Sequence, residues 1–246
     1  MFFEEYFKSI AKTRRLNKYF KYIKSGIGLP PDLHRYTPYF EPWHHNPDFQ
    51  PFLEISKDLT VVPPERIWIL VGALRNALTL KGAVCEFGVY KGGTSLVISK
   101  VINEAKIVKE LWLYDSFEGM PNLFTKNDWH DASWFLDTSL EETSQRVKNS
   151  EFLEVKFIKG IIPESFLIDL PKQICFAHID LDLYSSVFQT LNEIYNRVPT
   201  GGILLIDDYG EPTCYGARIA VDEFFSTKSE YPIVLPTGQA LIVKGK

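Results

Sequence analysis

Three things are scarce in this chain: cysteine, an excess of positive charge, and long unbroken apolar runs. Only Cys85, Cys175 and Cys214 are present. An odd count with no close pair supports neither a disulfide framework nor a cysteine-rich zinc site. Cys85 and Cys175 lie in apolar strand-like runs, where a free thiol behaves as a small buried hydrophobe. The formal net charge is -4, so no global basic excess invites nucleic acid, and no nucleic-acid partner is expected. No apolar run reaches the length of a membrane span. Glu4, Glu5 and Lys8 interrupt any signal-peptide core. A cytoplasmic location is the expectation.

What is present is enough apolar material for one large core: 246 residues, 45% of them hydrophobic. The expected division is an N-terminal extension, residues 1–60, and a main domain, residues 61–246. In residues 1–24 Phe3, Phe7, Ile10, Leu16, Tyr19, Phe20 and Ile23 recur near helical spacing among seven basic residues and two acids. A basic amphipathic helix on an anionic membrane surface is one reading. A helix packed on its own domain or a sister subunit is the favoured one. Residues 26–51 carry six prolines, which forbid long regular structure. Their aromatics suit a cover over a site or a wrap over the core, with Trp43, His44 and His45 as candidate contacts to an acceptor.

Pro63 and Pro64 open a helix through about Leu80, with Ile67, Leu70, Val71, Leu74 and Leu78 on one stripe. Beyond residue 82, strand-like runs alternate with helical segments. The strands are expected at Ala83–Val89, Leu111–Asp115, Leu153–Ile158, Ile174–Asp180, Gly202–Ile206, Ile233–Leu235 and Ala240–Val243, and the helices near 94–105, 138–149, 185–197 and 215–226. This alternation predicts an α/β fold with a mostly parallel sheet covered on both faces. Only Pro236–Gln239 separates the last two strands, so they form an antiparallel hairpin.

The chemistry concentrates at strand ends. The first strand runs into Glu86-Phe87-Gly88, followed by Gly92-Gly93-Thr94-Ser95. In an open α/β sheet the ligand lies beyond the carboxyl ends of the strands. The G-x-G-x-x-G dinucleotide fingerprint is missing, which counts against a nicotinamide-dependent oxidoreductase. An acid before the glycine suits a cationic ligand, such as the amino-acid part of S-adenosylmethionine. The helix start at Thr94 and Ser95 offers N–H groups to its carboxylate. Asp115, followed by Ser116, can accept both ribose hydroxyls or cap a turn. Gly160 allows an adenine to approach.

Two acidic clusters close successive strands, Asp180-Leu181-Asp182 and Asp207-Asp208. Four carboxylates at one crevice repel one another unless a cation or protons intervene. An all-oxygen donor set fits a hard cation such as magnesium. His178 is a second candidate base, although a histidine satisfied within its strand is the favoured reading.

Together these runs, Glu86 to Ser95, Asp115 to Gly119, Asp180 to Tyr184 and Asp207 to Tyr209, resemble the macrocin O-methyltransferase family over about residues 60–227. The resemblance implies a Rossmann-like S-adenosylmethionine-dependent fold. It further implies magnesium on Asp180, Asp207 and Asp208, with Asp180 also near the cofactor, and Asp182 as general base. A small hydroxyl acceptor containing a sugar and a homo-oligomer follow from the same likeness. Leu181 stands where family members often have glycine, Ser185 where many have an acid, and residues 1–60 match no family pattern. A catechol-like diol as acceptor and an idle cofactor-binding subunit remain alternatives at this point.

Overall fold

The computed structural model describes residues 40–130, 133–167 and 169–245, which fall in one compact unit beginning at Tyr36. The expected helix over residues 1–24 lies outside the described residues.

Two short helices, α1 (Pro42–His45) and α2 (Gln50–Ser56), each carry proline in the first turn, where its missing N–H costs nothing. They bury Trp43, Phe49 and Phe52 in the same core as the main domain. Trp43 packs in that core, while His44 and His45 are exposed. Helix α3 (Pro64–Ala77) follows, with Leu70 and Leu74 fully buried.

The sheet then forms from β1 (Ala83–Phe87), β2 (Lys109–Asp115), β3 (Leu153–Lys159), β4 (Ile174–Ile179), β5 (Ile203–Ile206), β6 (Ile233–Val234) and β7 (Ala240–Val243). Its order is β3-β2-β1-β4-β5-β7-β6. The first five strands are parallel, and β7 pairs antiparallel with both β5 and β6. Helices α4 (Gly93–Ala105), α5 (Leu140–Arg146), α6 (Tyr184–Ile194) and α7 (Tyr215–Phe225) connect the strands. The expected seven-stranded sheet and its C-terminal hairpin are thus present.

Alternation along each strand divides the core in two. Val84, Leu111, Leu113 and Leu205 pack under α3 and α4. Cys85, Trp112, Tyr114 and Leu204 pack under α6 and α7. All three cysteines are free and buried. Among the described residues, no helix is long and apolar enough to cross a membrane.

The order places β1 beside both β2 and β4, which makes the gap between β1 and β4 the topological switch point, where ligands of such sheets bind. Gly88 (φ +89°) makes that corner possible: a Cβ there would lie 1.8 Å from the Asp180 carbonyl oxygen.

Candidate active site

The acidic clusters leave β4 and β5 side by side. Ile179 pairs with Ile206, and the next residues are held in turn: Asp180 N–H donates to Phe87 O at 2.8 Å and Asp207 N–H to Ile179 O at 2.9 Å. Carboxylate oxygens of Asp180, Asp207 and Asp208 come within 4.8 Å of one another. Asp207 and Asp208 are buried. Burial, then the charge of Asp207, pushes the Asp180 carboxyl well above its ordinary range. Burial, then Asp182 and Asp180, does the same to Asp208. Such a trio gains from a bound cation, and its all-oxygen donor set suits a hard divalent one.

Asp207 behaves differently, because two residues that sequence reasoning missed hold it. Arg66 of α3 donates from Nη1 to Asp207 Oδ2 at 2.8 Å, and Gln239 Nε2 donates to Oδ1 at 2.8 Å. Against the burial that would raise it, the Arg66 charge and that of His178 hold Asp207 below the usual carboxylate range. Arg66 also donates to Thr237 O at 2.9 Å and pairs with Glu211 at 3.3 Å. The signal for Arg66 was legible: it lies four residues before Leu70 on the buried stripe of α3. Gln239, in the hairpin, carried none.

A charged chain runs beneath this trio. Glu86 pairs with His178 in register across β1 and β4, with His178 Nδ1 at 3.1 Å from Glu86 Oε1 and the Ser95 hydroxyl donating to the other Glu86 oxygen. His178 Nε2 lies 3.5 Å from Asp207 Oδ1, an ion-pair separation. Burial opposes the charged imidazole, but the neighbouring Asp207 and Glu86 carboxylates outweigh it and push the His178 pKa up to about 10. His178 is thus a buried strand residue locked between two carboxylates. Glu86 joins His178 to Ser95, and both Glu86 and Ser95 are fully buried.

Asp115 fixes the turn after β1. Its Oδ2 accepts from Val89 N at 2.7 Å and Tyr90 N at 3.0 Å, and its Oδ1 from Phe117 N at 2.6 Å. Burial raises its pKa against those donors. Both oxygens are thus engaged: Oδ2 holds two backbone donors, and Oδ1 holds one backbone donor and a long 3.5 Å contact from Ser116 Oγ. Ser116 Oγ donates to Gly119 O at 2.6 Å. Gly160 N–H donates to Asp115 O at 3.0 Å, which brings it to the same corner. Thr94 lies in the first turn of α4, buried.

Asp182 stands just outside the trio, near enough that its charge is, after burial, the largest influence on Asp208. The φ of Asp182 is +59°, and Leu183 N–H donates to Leu181 O across it, a strained three-residue turn. Leu181 has no such backbone demand and packs on the α6/α7 side of the core, which explains why no glycine is needed there. The Asp182 N–H donates to Asp208 Oδ2 at 3.0 Å. Its carboxylate also meets a second pair of groups: Cys214 Sγ–H donates to Oδ1 at 3.0 Å and His130 Nε2 lies 3.5 Å from the same oxygen. Neither His130 nor Cys214 was singled out as a site residue from the sequence: His130 stands in an aperiodic loop and Cys214 ends a single tight turn before α7. His130 is delivered by the segment after β2. That segment is anchored where Asp128 Oδ1 accepts from Tyr184 N at the start of α6, against a Gly216 that has no room for a side chain.

A seven-stranded, mostly parallel sheet with a terminal antiparallel hairpin and an acid-lined switch point defines the class: a Rossmann-like methyltransferase fold. Residues 59–233 match the macrocin-O-methyltransferase (TylF) family, and the chain belongs to it. It is 28% identical over 153 residues to demethyldecarbamoylnovobiocin O-methyltransferase of Streptomyces niveus, covering 58% of each chain. It is 27% identical over 146 residues to 8-demethyl-8-(2,3-dimethoxy-alpha-L-rhamnosyl)-tetracenomycin-C 4'-O-methyltransferase of Streptomyces olivaceus, covering 55% of this chain and 56% of that one. The matched stretch thus spans little more than half the length of these relatives. The solved structure of the O-methyltransferase NovP superposes with TM-score 0.69 at 22% identity, covering 76% of this chain and 83% of that one, a likeness of fold.

Proposed function

We propose that this chain transfers the methyl group of S-adenosylmethionine to a hydroxyl of a sugar or glycosylated small molecule, with Mg2+ held by Asp180, Asp207 and Asp208. One observation supports it above the rest: in a chain of this family, three carboxylates converge beyond β4 and β5, next to the switch point. The rhamnosyl group in the name of the Streptomyces olivaceus relative supports a glycosidic acceptor.

In this reading Glu86, Gly88, Thr94 and Ser95 shape the pocket for the amino-acid part of the cofactor. Asp115 and Ser116 take the ribose, Gly160 lets the adenine approach, and Asp180 stands between cofactor and metal. When bound, the divalent cation supplies Lewis acidity that eases deprotonation of a hydroxyl. Asp182 accepts that proton. The hydroxyl oxygen forms the new C–O bond, the C–S electron pair stays on sulfur, and S-adenosylhomocysteine leaves. Asp182 suits a base because its carboxylate is partly open while the turn and Cys214 fix its direction. A homo-oligomer in the cytoplasm, with residues 1–60 as cover or subunit contact, completes the proposal.

The test is an assay with labelled S-adenosylmethionine and a panel of glycosides and catechols. The expected outcome is glycoside methylation that exhaustive chelation abolishes and Mg2+ restores. Turnover indifferent to chelation removes the metal, methylation of catechols alone removes the sugar acceptor, and calorimetry without cofactor binding removes the activity.

A further inference from the structure

A second donor cluster includes Asp182, with a chemistry unlike that of the aspartate trio. His130, Asp182 and Cys214 each present one ligand atom, and these atoms also fall within 4.8 Å of one another. The edges of the triangle are 3.0 Å from Cys214 Sγ to Asp182 Oδ1, 3.5 Å from Asp182 Oδ1 to His130 Nε2 and 3.7 Å from His130 Nε2 to Cys214 Sγ. Tetrahedral zinc binds sulfur at about 2.3 Å and imidazole nitrogen or carboxylate oxygen at about 2.0–2.2 Å, which sets ligand–ligand edges of roughly 3.4–3.6 Å. Two edges are close to that range already, and the third opens by about 0.6 Å when the thiol proton is replaced by a metal.

Two further observations support a ligand here. The His130 side chain is almost wholly buried, and its Nδ1 has no hydrogen-bond partner among the described residues. No protein partner assigns a hydrogen to Nδ1, and Nε2, 3.5 Å from Asp182 Oδ1 and 3.7 Å from Cys214 Sγ, is the nitrogen that faces the triangle. Asp182 is the partly open member of the three, which leaves an access path and a fourth position.

We propose that His130, Asp182 and Cys214 form a binding site for a thiophilic divalent cation of the zinc type, separate from the all-oxygen trio. Hardness sorts the two sites: Mg2+ takes carboxylates and water, whereas Zn2+ favours nitrogen and sulfur. They are neighbours through the Asp182 N–H bond to Asp208. A cation in the second site occupies the Asp182 carboxylate. Zn2+ is then an inhibitor of the proposed methyl transfer, a consequence that rests on the functional reading above, whereas the site itself does not.

The probe is Co2+, added to the full-length reduced protein in excess Mg2+ so that the trio is filled. The expected result is a near-ultraviolet thiolate-to-cobalt charge-transfer band with visible tetrahedral bands, at one equivalent, displaced by Zn2+. Cys214→Ser abolishes the charge-transfer band with an unchanged circular dichroism spectrum. His130→Gln weakens Co2+ binding at least about tenfold, as loss of one of three protein ligands to such an ion requires. Asp207→Asn leaves the band in place. Absence of the band, or its survival in Cys214→Ser, overturns the proposal, and neither result depends on an acceptor being known. If the band behaves as expected but Zn2+ leaves methyl transfer untouched, the metal site stands and the role of Asp182 as base falls.

Discussion

Asp182 occupies a backbone conformation that few residues tolerate, and that fact shapes how it is best tested. Left-handed φ favours glycine, asparagine and aspartate. Asp182→Asn therefore keeps the turn while removing the basic carboxylate. The expected outcome is a fall in methyl-transfer rate of about 10²–10⁴-fold with cofactor affinity nearly unchanged by calorimetry. Near-normal turnover would exclude its role as base. The sequence motif exposed Asp182 as a candidate, but not its separation from Asp180. In an unbroken strand the two would share a face. Strand β4 instead ends at Ile179, and the turn at Asp182 sends its carboxylate towards Cys214 and His130.

Elements at the crevice depend on close backbone approaches, and here the strand ends were less legible than the strand centres. The apolar run predicts a first strand to Val89, but β1 stops at Phe87. Gly88 turns left-handed there so that Asp180 can pass. Gly88→Ala adds both a left-handed strain of about 1–2 kcal/mol and a Cβ that overlaps the Asp180 carbonyl. Its urea midpoint is expected to fall well below wild type, and a midpoint within error of wild type would show that the corner is pliable. Helices α1 and α2 were missed for a different reason: at four and seven residues they are too short for periodicity to register, and only their first-turn prolines hint at them. The segment from 226 to 245 is secured by Glu230, which accepts from Tyr195 Oη at 2.5 Å and Gly245 N at 2.9 Å. The Tyr195 bond leads, and Glu230 is lowered from 4.5 to about 2. A depressed carboxyl stabilises the fold above its unfolded pKa and loses that contribution as pH falls. The difference in urea midpoint between wild type and Glu230→Gln should be constant above pH 5 and close as pH drops from about 4.5 towards 2. A gap that does not change with pH would mean that the charge on Glu230 contributes nothing.

At the scale of the molecule, Asp207 joins parts of the chain that are far apart in sequence. Arg66 reaches it from α3, ahead of the sheet, and Gln239 reaches it from the last hairpin, while His178 approaches from the centre. Strand–helix alternation revealed the sheet that makes this possible, because apolar periodicity records burial. It did not reveal the polar brace, since one arginine on a helix stripe and one glutamine in a turn leave no repeating signal. The brace also sets the charge of the site. With Arg66 present, one of the clustered negative charges is balanced by protein; without it, the trio and Asp182 face one another with only His178 as counter-charge. Removing one partner of a buried pair costs about 3–5 kcal/mol, so Arg66→Met should melt at a clearly lower temperature than wild type in chelator. A cation that binds only the folded state stabilises it by mass action. If the trio binds Mg2+, saturating Mg2+ should raise the melting temperature of Arg66→Met by more than it raises that of wild type, because the ion then replaces a charge the variant lacks. Equal shifts in both proteins would separate the brace from the metal site and leave Arg66 as a link between α3 and the hairpin alone.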